Sequence, residues 1–208
     1  NEAAMLLLET DDFTSFAKLH ADNKTNICRV TYAKWESLGD GRWVFVITAD
    51  HTNMSFDERY RNVSGAMEVP VIFHLPSGEA PFEPGIDSVM IAQQIDIMPT
   101  ILDYTGYGKP FVAFGKSLIS TPADESFAVN YANETYRYYK GDHILLYNGE
   151  NDTPLSMFNL RNDILMKENI LGKNDVQDEM IRELRAIIQQ YMSRMIENRL
   201  TIDNDNIN

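Results

Sequence analysis

The residues best suited to chemistry in this chain are an acid and a histidine, Asp50 and His51, at the end of an apolar run. The run, Trp43 to Asn53, opens with six apolar or β-branched residues in succession and follows the turn-forming sequence Gly39-Asp40-Gly41. A short, uninterrupted run of this kind predicts a strand buried on both faces, as in a parallel or mixed sheet. Ligands collect at the carboxyl ends of such strands. Because carboxylate oxygen and imidazole nitrogen are ligands of zinc and manganese, the pair could hold a divalent cation.

The same pair also has a purely structural interpretation. An Asp after a strand often forms a turn or caps a helix, and a His beside it often only completes a hydrogen bond. Two ligands do not make a metal site. From Asp50 and His51 alone, both interpretations stay open.

Other polar side chains near this run are weaker candidates. His74 lies inside a second apolar run, Val69 to Leu75, where alternation predicts a packed or edge histidine rather than a metal ligand. Arg59 and Arg61 flank Tyr60 in the polar segment between the two runs. These arginines could meet an anionic substrate, although solvated loop charges are the more common case.

Composition narrows the classes of partner. The chain has 208 residues, of which 44% are hydrophobic and 24% charged, as in ordinary globular proteins of one large or two small domains. It carries 18 basic against 31 acidic residues, a formal charge of -13, which repels phosphate backbones and anionic membranes. We therefore expect no nucleic-acid partner and no membrane contact by this segment. The single cysteine, Cys28, excludes an intrachain disulfide, and no apolar run approaches the roughly 20 residues that span a bilayer.

The patterns along the chain predict an α/β fold whose two halves differ. Residues 1–40 are predicted to be helical, and a short helix is predicted from Asp96 to Gly106, with Asp96 as its cap and Pro99 in its first turn. Apolar residues alternate from Ser126 onward, which predicts an antiparallel β-meander of four strands. The predicted strand centres and turns are 127–131, 136–138, Gly141-Asp142, 144–146, Asn148-Gly149 and 155–157.

A long C-terminal helix is predicted over Asp175 to Leu200. Apolar residues recur every three or four positions there, which is typical of a helix packed on a sheet. The predicted stripe comprises Val176, Met180, Leu184, Ile187, Tyr191, Met195 and either Ile196 or Leu200.

The order of these segments carries a family resemblance. Ala49-Asp50-His51 is followed by Val-Pro-Val-Ile-Phe-His-Leu-Pro (69–76), and then by Gln-Gln-Ile-Asp-Ile-Met-Pro-Thr-Ile-Leu-Asp-Tyr-Thr-Gly (93–106). Phe-Gly-Lys-Ser-Leu (114–118) comes next, and Phe-Asn-Leu-Arg-Asn-Asp (158–163) precedes the last helix. The chain resembles the C-terminal half of the sulfatase branch of the alkaline phosphatase superfamily. Within that branch it is most similar to the lipoteichoic acid synthase-like phosphoglycerol transferases and the sulfatases grouped with them.

The resemblance implies a fold, a reaction and a cofactor. The fold would be the C-terminal part of an alkaline phosphatase-like α/β/α structure, with residues 1–122 belonging to the core and 123–208 forming the meander and long helix. The enzyme would hydrolyse or transfer a sulfate or phosphate ester with a hydroxyl nucleophile and a divalent cation, namely manganese, magnesium, calcium or zinc. The metal ligands would be Asp50 and His51, whereas Asp96 and Pro99 would support the site structurally.

The departures from the family pattern imply an incomplete site. The family places its nucleophile and first acidic metal ligand far upstream, and Cys28 does not begin the Cys-x-Pro-x-Arg pattern of a maturing sulfatase. We therefore expect a C-terminal fragment with no catalytic residue of its own, whose half-site binds metal weakly without its other ligands. Its partners would be the N-terminal half of the same enzyme and an anionic ester, either a sulfated glycan or a phosphoglycerol lipid. The parent would be extracytoplasmic and membrane-anchored. The alternative is a non-catalytic binding or assembly module that keeps the fold.

Overall fold

The first described element is a two-stranded antiparallel hairpin. The computed structural model describes residues 44–48, 56–75, 81 and 84–202. Strands β1 (Phe45–Thr48) and β2 (Val71–His74) pair antiparallel, so both predicted strands are confirmed. The expected parallel or mixed sheet, buried on both faces, is wrong within the described residues. Ile47 and Ile72 lie opposite one another on the same face of the hairpin and are 42% and 48% exposed, so this face is not buried.

A short helix covers the other face of the hairpin. Helix α1 (Ile97–Tyr104) follows a 3-10 turn over Gln94–Asp96, with Asp96 at the N-cap position, Pro99 in the first turn and Gly106 at a φ of 70° beyond the end. The predicted helix is therefore confirmed. The hairpin and α1 together line one small closed space, formed by Val44, Phe73, Leu75, Pro81, Thr100, Ile101, Tyr104 and Ile119.

The second half is the predicted four-stranded meander. Each strand pairs antiparallel with the next in the order β3-β4-β5-β6, and Gly141 supplies the positive φ of 53° in the turn between β4 and β5. The strands are β3 (Phe127–Ala132), β4 (Thr135–Lys140), β5 (His143–Asn148) and β6 (Thr153–Asn159).

The long helix α2 (Gln177–Ile196) packs on one face of the meander and forms the buried core with it. The apolar stripe contributes Met180 and Leu184 to this core, but Tyr191 and Met195 are 45% and 48% exposed. The stripe is therefore longer than the sheet it covers. The buried core consists of Tyr138, Leu145, Tyr147, Met157, Met180 and Leu184.

Residues 56–68, which we call the covering segment, approach the opposite face of the meander, where Ser64 lies beside the Tyr139 side chain of β4. It contains two 3-10 turns, Glu58–Arg61 and Gly65–Met67. The side-chain amide of Asn62 accepts the N–H groups of Ser64 and Gly65 and donates to the carbonyl of Ile164 at 2.9 Å. These bonds fasten the covering segment to the loop after β6.

The expected α/β class, with antiparallel strands and a long C-terminal helix, is confirmed. In the described part of the chain, no helix is both long and apolar enough to cross a bilayer. The helices predicted over 1–40 lie outside the described residues, and the division of the chain near residue 122 stays a prediction.

Candidate functional site

The two predicted metal ligands, Asp50 and His51, lie outside the described residues. The described strand that leads toward them, β1, ends at Thr48, which pairs with Val71 at the start of β2. Their roles as ligands therefore stay a prediction. In residues 44–48, 56–75, 81 and 84–202, no group of three or more His, Cys, Asp or Glu side chains is placed to hold a metal.

His74 does not lie near the strand end that leads to the predicted pair. It pairs with Phe45 at the opposite end of the hairpin, about 10 Å from Thr48 along the strand. Its side chain is exposed on a strand that has β1 as its only neighbour among the described residues. Of the two positions that the sequence predicts for His74, packed or at an edge, the described residues show the edge position, at the end of the hairpin away from Thr48.

The best-defined polar site centres on Asp96, which is 3% exposed. One carboxylate oxygen, Oδ2, accepts the backbone N–H of Gln93 at 2.9 Å, and the other, Oδ1, accepts the backbone N–H of Lys116 at 2.8 Å. Asp96 occupies the cap position that the sequence predicts, but its side chain makes no capping bond to α1. Instead the carboxylate joins the 93–106 string to the 114–118 string.

Two further links join the same strings. The Thr100 hydroxyl donates to the Asp96 carbonyl at 2.6 Å and accepts the N–H of Leu118 at 3.0 Å. The Ser117 hydroxyl donates to the carboxylate of Asp103, and this bond, with a second from a nearby serine, lowers the pKa of Asp103. We call residues 93–106 and 114–118, joined in this way, the latched unit.

The side chain of Gln93 connects the latched unit to the meander. Its amide nitrogen donates to the Phe127 carbonyl and its amide oxygen accepts the N–H of Val129, both at 3.1 Å. The side chain thus bonds to the backbone of β3 as a neighbouring strand would. Residues 93–106 are therefore bonded to the meander through Gln93 and line a common space with the hairpin through α1.

The positively charged side chain of the latched unit, Lys116, already has interaction partners. The Lys116 ammonium donates to the Glu125 carbonyl at 3.0 Å, lies 3.6 Å from the Glu125 carboxylate, and sits 5.5 Å over the ring of Phe127. We therefore assign Lys116 no role in binding substrate. The described contacts of the latched unit are those of a scaffold.

A cavity of about 400 Å³ separates the stretch after α1 from helix α2. Its walls are mostly apolar, and Arg194 is the one charged side chain among the described residues that line it, so these residues supply no acid, base or nucleophile for catalysis. The lining residues are Phe111, Val112, Ala113, Phe114, Phe127, Ala186, Ile187, Gln190 and Arg194.

Burial of Asp96 makes a pH-dependent prediction. Desolvation raises the pKa of Asp96, while the N–H groups of Lys116 and Gln93 and the Lys116 charge act in the opposite direction. A carboxyl whose folded pKa is raised binds protons more tightly in the folded state. The stability that this proton binding contributes is thus fully present below the unfolded pKa of about 3.9, and it is lost as pH rises through the folded pKa. The stability of the wild type relative to Asp96→Asn should therefore increase on acidification from pH 7 toward pH 4.

Urea unfolding of both chains at several pH values measures this difference. At pH 7 we expect Asp96→Asn to be less stable by about 1–3 kcal/mol, because an amide cannot accept both backbone N–H groups. Asp124→Asn, an exposed acid, is the control and should change little. A wild-type advantage that shrinks as the pH falls would contradict the direction given for the Asp96 pKa.

Comparison with known sequences gives short, partial matches. No family model matches the chain. It is 49% identical over 80 residues to tRNA pseudouridine synthase A from Porphyromonas gingivalis, a match covering 38% of this chain and 29% of that protein. The same enzyme from Bacteroides thetaiotaomicron is 56% identical over 52 residues, covering 24% of this chain and 19% of that protein. The chain therefore spans well under half of each curated relative.

Comparison with solved structures finds sulfatases. A 2-O GAG sulfatase is 19% identical with a TM-score of 0.46, and the match covers 73% of this chain and 36% of that one. A protein solved in complex with its substrate D-glucosamine-2-N,6-O-disulfate is 24% identical with a TM-score of 0.48, covering 62% and 30%. Because these similarities are weak, function has to be inferred from the chain's own residues.

Proposed function

We propose that this chain is the C-terminal part of a metal-dependent enzyme of the sulfatase type, which hydrolyses or transfers sulfate or phosphate esters. The observation that carries the proposal is the latched unit. Asp96, buried and bonded to Gln93 and Lys116, joins the two strings of the family resemblance, and α1 packs beneath the hairpin whose first strand leads to Asp50 and His51. Two segments of the resemblance that are joined by hydrogen bonds support the proposed enzyme class more strongly than the same segments considered one at a time.

In this proposal Asp50 and His51 supply two ligands of a divalent cation. The cation would stabilise the charge that develops when a hydroxyl nucleophile attacks sulfur or phosphorus. The nucleophile and the remaining ligands would come from an N-terminal half that this chain does not include. Helix α1 would support the hairpin, because Thr100 and Ile101 line the same small space as Phe73, and so hold the strand end in place.

Two finer assignments belong to the same proposal. The sequence resemblance favours a lipoteichoic acid synthase-like phosphoglycerol transferase or a related sulfatase, acting outside the cytoplasmic membrane and anchored by upstream segments. The substrate would then be a phosphoglycerol lipid or a sulfated glycan. These two classes differ in the group that is transferred, so the enzyme can be assigned by direct assay.

The test uses the complete enzyme with each substrate class. Activity is measured on phosphatidylglycerol and on a disulfated glucosamine, after chelation and re-addition of manganese, magnesium, calcium or zinc. We expect Asp50→Ala and His51→Ala each to abolish the metal-dependent activity, because a half-filled ligand set binds metal weakly. Both variants should keep the circular dichroism spectrum and unfolding temperature of the parent.

His74→Ala is the matched control, because His74 is an exposed histidine at the far end of the same hairpin. It should retain full activity. Retained activity in Asp50→Ala or His51→Ala would refute their role as ligands. An intact parent with no activity on either ester, with or without metal, would favour the non-catalytic binding module.

A second candidate function rests on the matches to tRNA pseudouridine synthase A, whose identity of 49–56% is high over 52–80 residues. We place it second because a formal charge of -13 opposes binding to tRNA. Gel-shift measurements with tRNA at low salt, together with a pseudouridine-formation assay, distinguish the two candidates. Tight tRNA binding by the chain would favour the second candidate over the first.

A further inference from the structure

A buried arginine on the outer face of the meander has no counter-charge among the residues that the structure describes. Arg137 is 7% exposed. One terminal nitrogen donates to the neutral side chain of Asn130 at 3.1 Å, and its Nε–H has no acceptor among the described residues. None of the ion pairs found in that part of the chain involves Arg137. Burying a guanidinium without an opposite charge is unfavourable.

Two buried hydroxyl groups lie beside this arginine. Tyr139 is on the same face of β4 as Arg137, two positions along, and Ser64 of the covering segment is 2% exposed. Burial raises the pKa of Tyr139, and the neighbouring Ser64, Asn130 and Arg137 side chains oppose the shift, so these groups surround its hydroxyl. Neither hydroxyl makes a hydrogen bond of good geometry. Even when the two hydroxyls bond each other, one O–H is left over as a donor.

This cluster contains a guanidinium, although the chain as a whole is acidic. Glu68, whose charge acts on Tyr139, is bonded to Arg59 at 2.7 Å. The Nε–H of Arg59 is also buried without an acceptor among the described residues. Glu68 therefore pairs with Arg59, and within the described residues no ion pair reaches the more deeply buried Arg137.

We propose that Arg137, Tyr139 and Ser64 form a binding site for a small monovalent anion of the size of chloride, between the covering segment and β4. The site offers N–H and O–H donors but too few acceptors. A water molecule would supply lone pairs but no charge, whereas an anion supplies both. The anion is small because Ser64 is 2% and Arg137 7% exposed, so that a larger molecule cannot reach the site. Bound there, it would fasten the covering segment to the meander.

The experiment compares thermal unfolding of the chain in sodium chloride and in sodium gluconate at equal ionic strength. With chloride at about ten times its Kd, we expect the Tm to rise by about 3–6 °C, and the rise should saturate with concentration. Bromide should act as chloride does. Arg137→Gln should lose the chloride-dependent rise. Arg61→Gln, an exposed arginine on the covering segment, is the matched control and should keep it.

Equal Tm values in chloride and gluconate would overturn the proposal, as would an unchanged chloride effect in Arg137→Gln. Should that variant fail to fold, crystals of the wild type soaked in bromide decide the matter by anomalous diffraction. A bromide peak beside the Nε of Arg137 supports the site. A water molecule at that position, with no anomalous signal, refutes it.

Discussion

Replacing Leu184 with alanine is expected to lower the free energy of unfolding by about 3 kcal/mol and the Tm by about 6–12 °C. Leu184 is fully buried at the centre of the stripe through which α2 meets the meander. Its truncation removes apolar contacts and leaves a cavity between Met157 and Met180, on elements that cannot collapse independently. Urea unfolding followed by far-ultraviolet circular dichroism measures the change.

Leu155→Ala is the matched control for this substitution. Leu155 lies on β6 but is 47% exposed, so the same change of side chain should cost less than about 1 kcal/mol. Equal losses for Leu184→Ala and Leu155→Ala would show that α2 does not pack on the meander as described. The difference between the two variants, rather than either value alone, measures the contribution of the helix-sheet contact.

The meander and the long helix were predictable because their patterns are local. Alternating apolar residues and the Gly141-Asp142 turn specify antiparallel neighbours within a few residues of one another. The position at which the apolar stripe of α2 ceases to be buried was not predictable in this way. Tyr191 continues the helical spacing, but it is 45% exposed and its ring packs edge-on against Phe114, 5.1 Å away. Spacing along one helix does not reveal where its partner ends.

The first hairpin shows a different limit of sequence patterns. An unbroken apolar run contains no alternation, so it predicts a strand without giving the direction of its neighbour. The partner, β2, pairs antiparallel, and the cross-strand pair Ile47 and Ile72 is left exposed on one face. An apolar run is therefore weaker evidence of burial on both faces than of strand formation.

The polar sites also differ in how far the sequence predicts them. The start of α1 was visible from Asp96 and Pro99, but the bond from Asp96 to the Lys116 N–H crosses 20 residues and has no local signal. The cluster around Arg137 and Ser64 was missed for a related reason. Its members come from segments far apart in the chain, and the only local hint is a charged residue inside a strand. Such a residue draws attention only once both faces of the strand are known to be covered.

Replacing Gly115 with alanine is expected to destabilise the chain by about 3 kcal/mol, because the latched unit has no room for a methyl group there. A Cβ at this position would lie 2.2 Å from the carbonyl oxygen of Ile95 and 2.7 Å from the Oδ1 of Asp96. The first of these atoms is backbone, so the two strings must move apart. That movement adds the strain of overpacking to the loss of a charge-assisted bond between Asp96 and the Lys116 N–H.

Gly108→Ala is the matched control, since a Cβ there meets no atom within 4 Å. It should leave stability unchanged or raise it slightly, by restricting the unfolded chain. Combining Gly115→Ala with Asp96→Asn tests the cause, because the double variant should lose less than the sum of the two single losses if both act on one bond. Strictly additive losses would mean that the glycine matters for a reason other than its approach to Asp96.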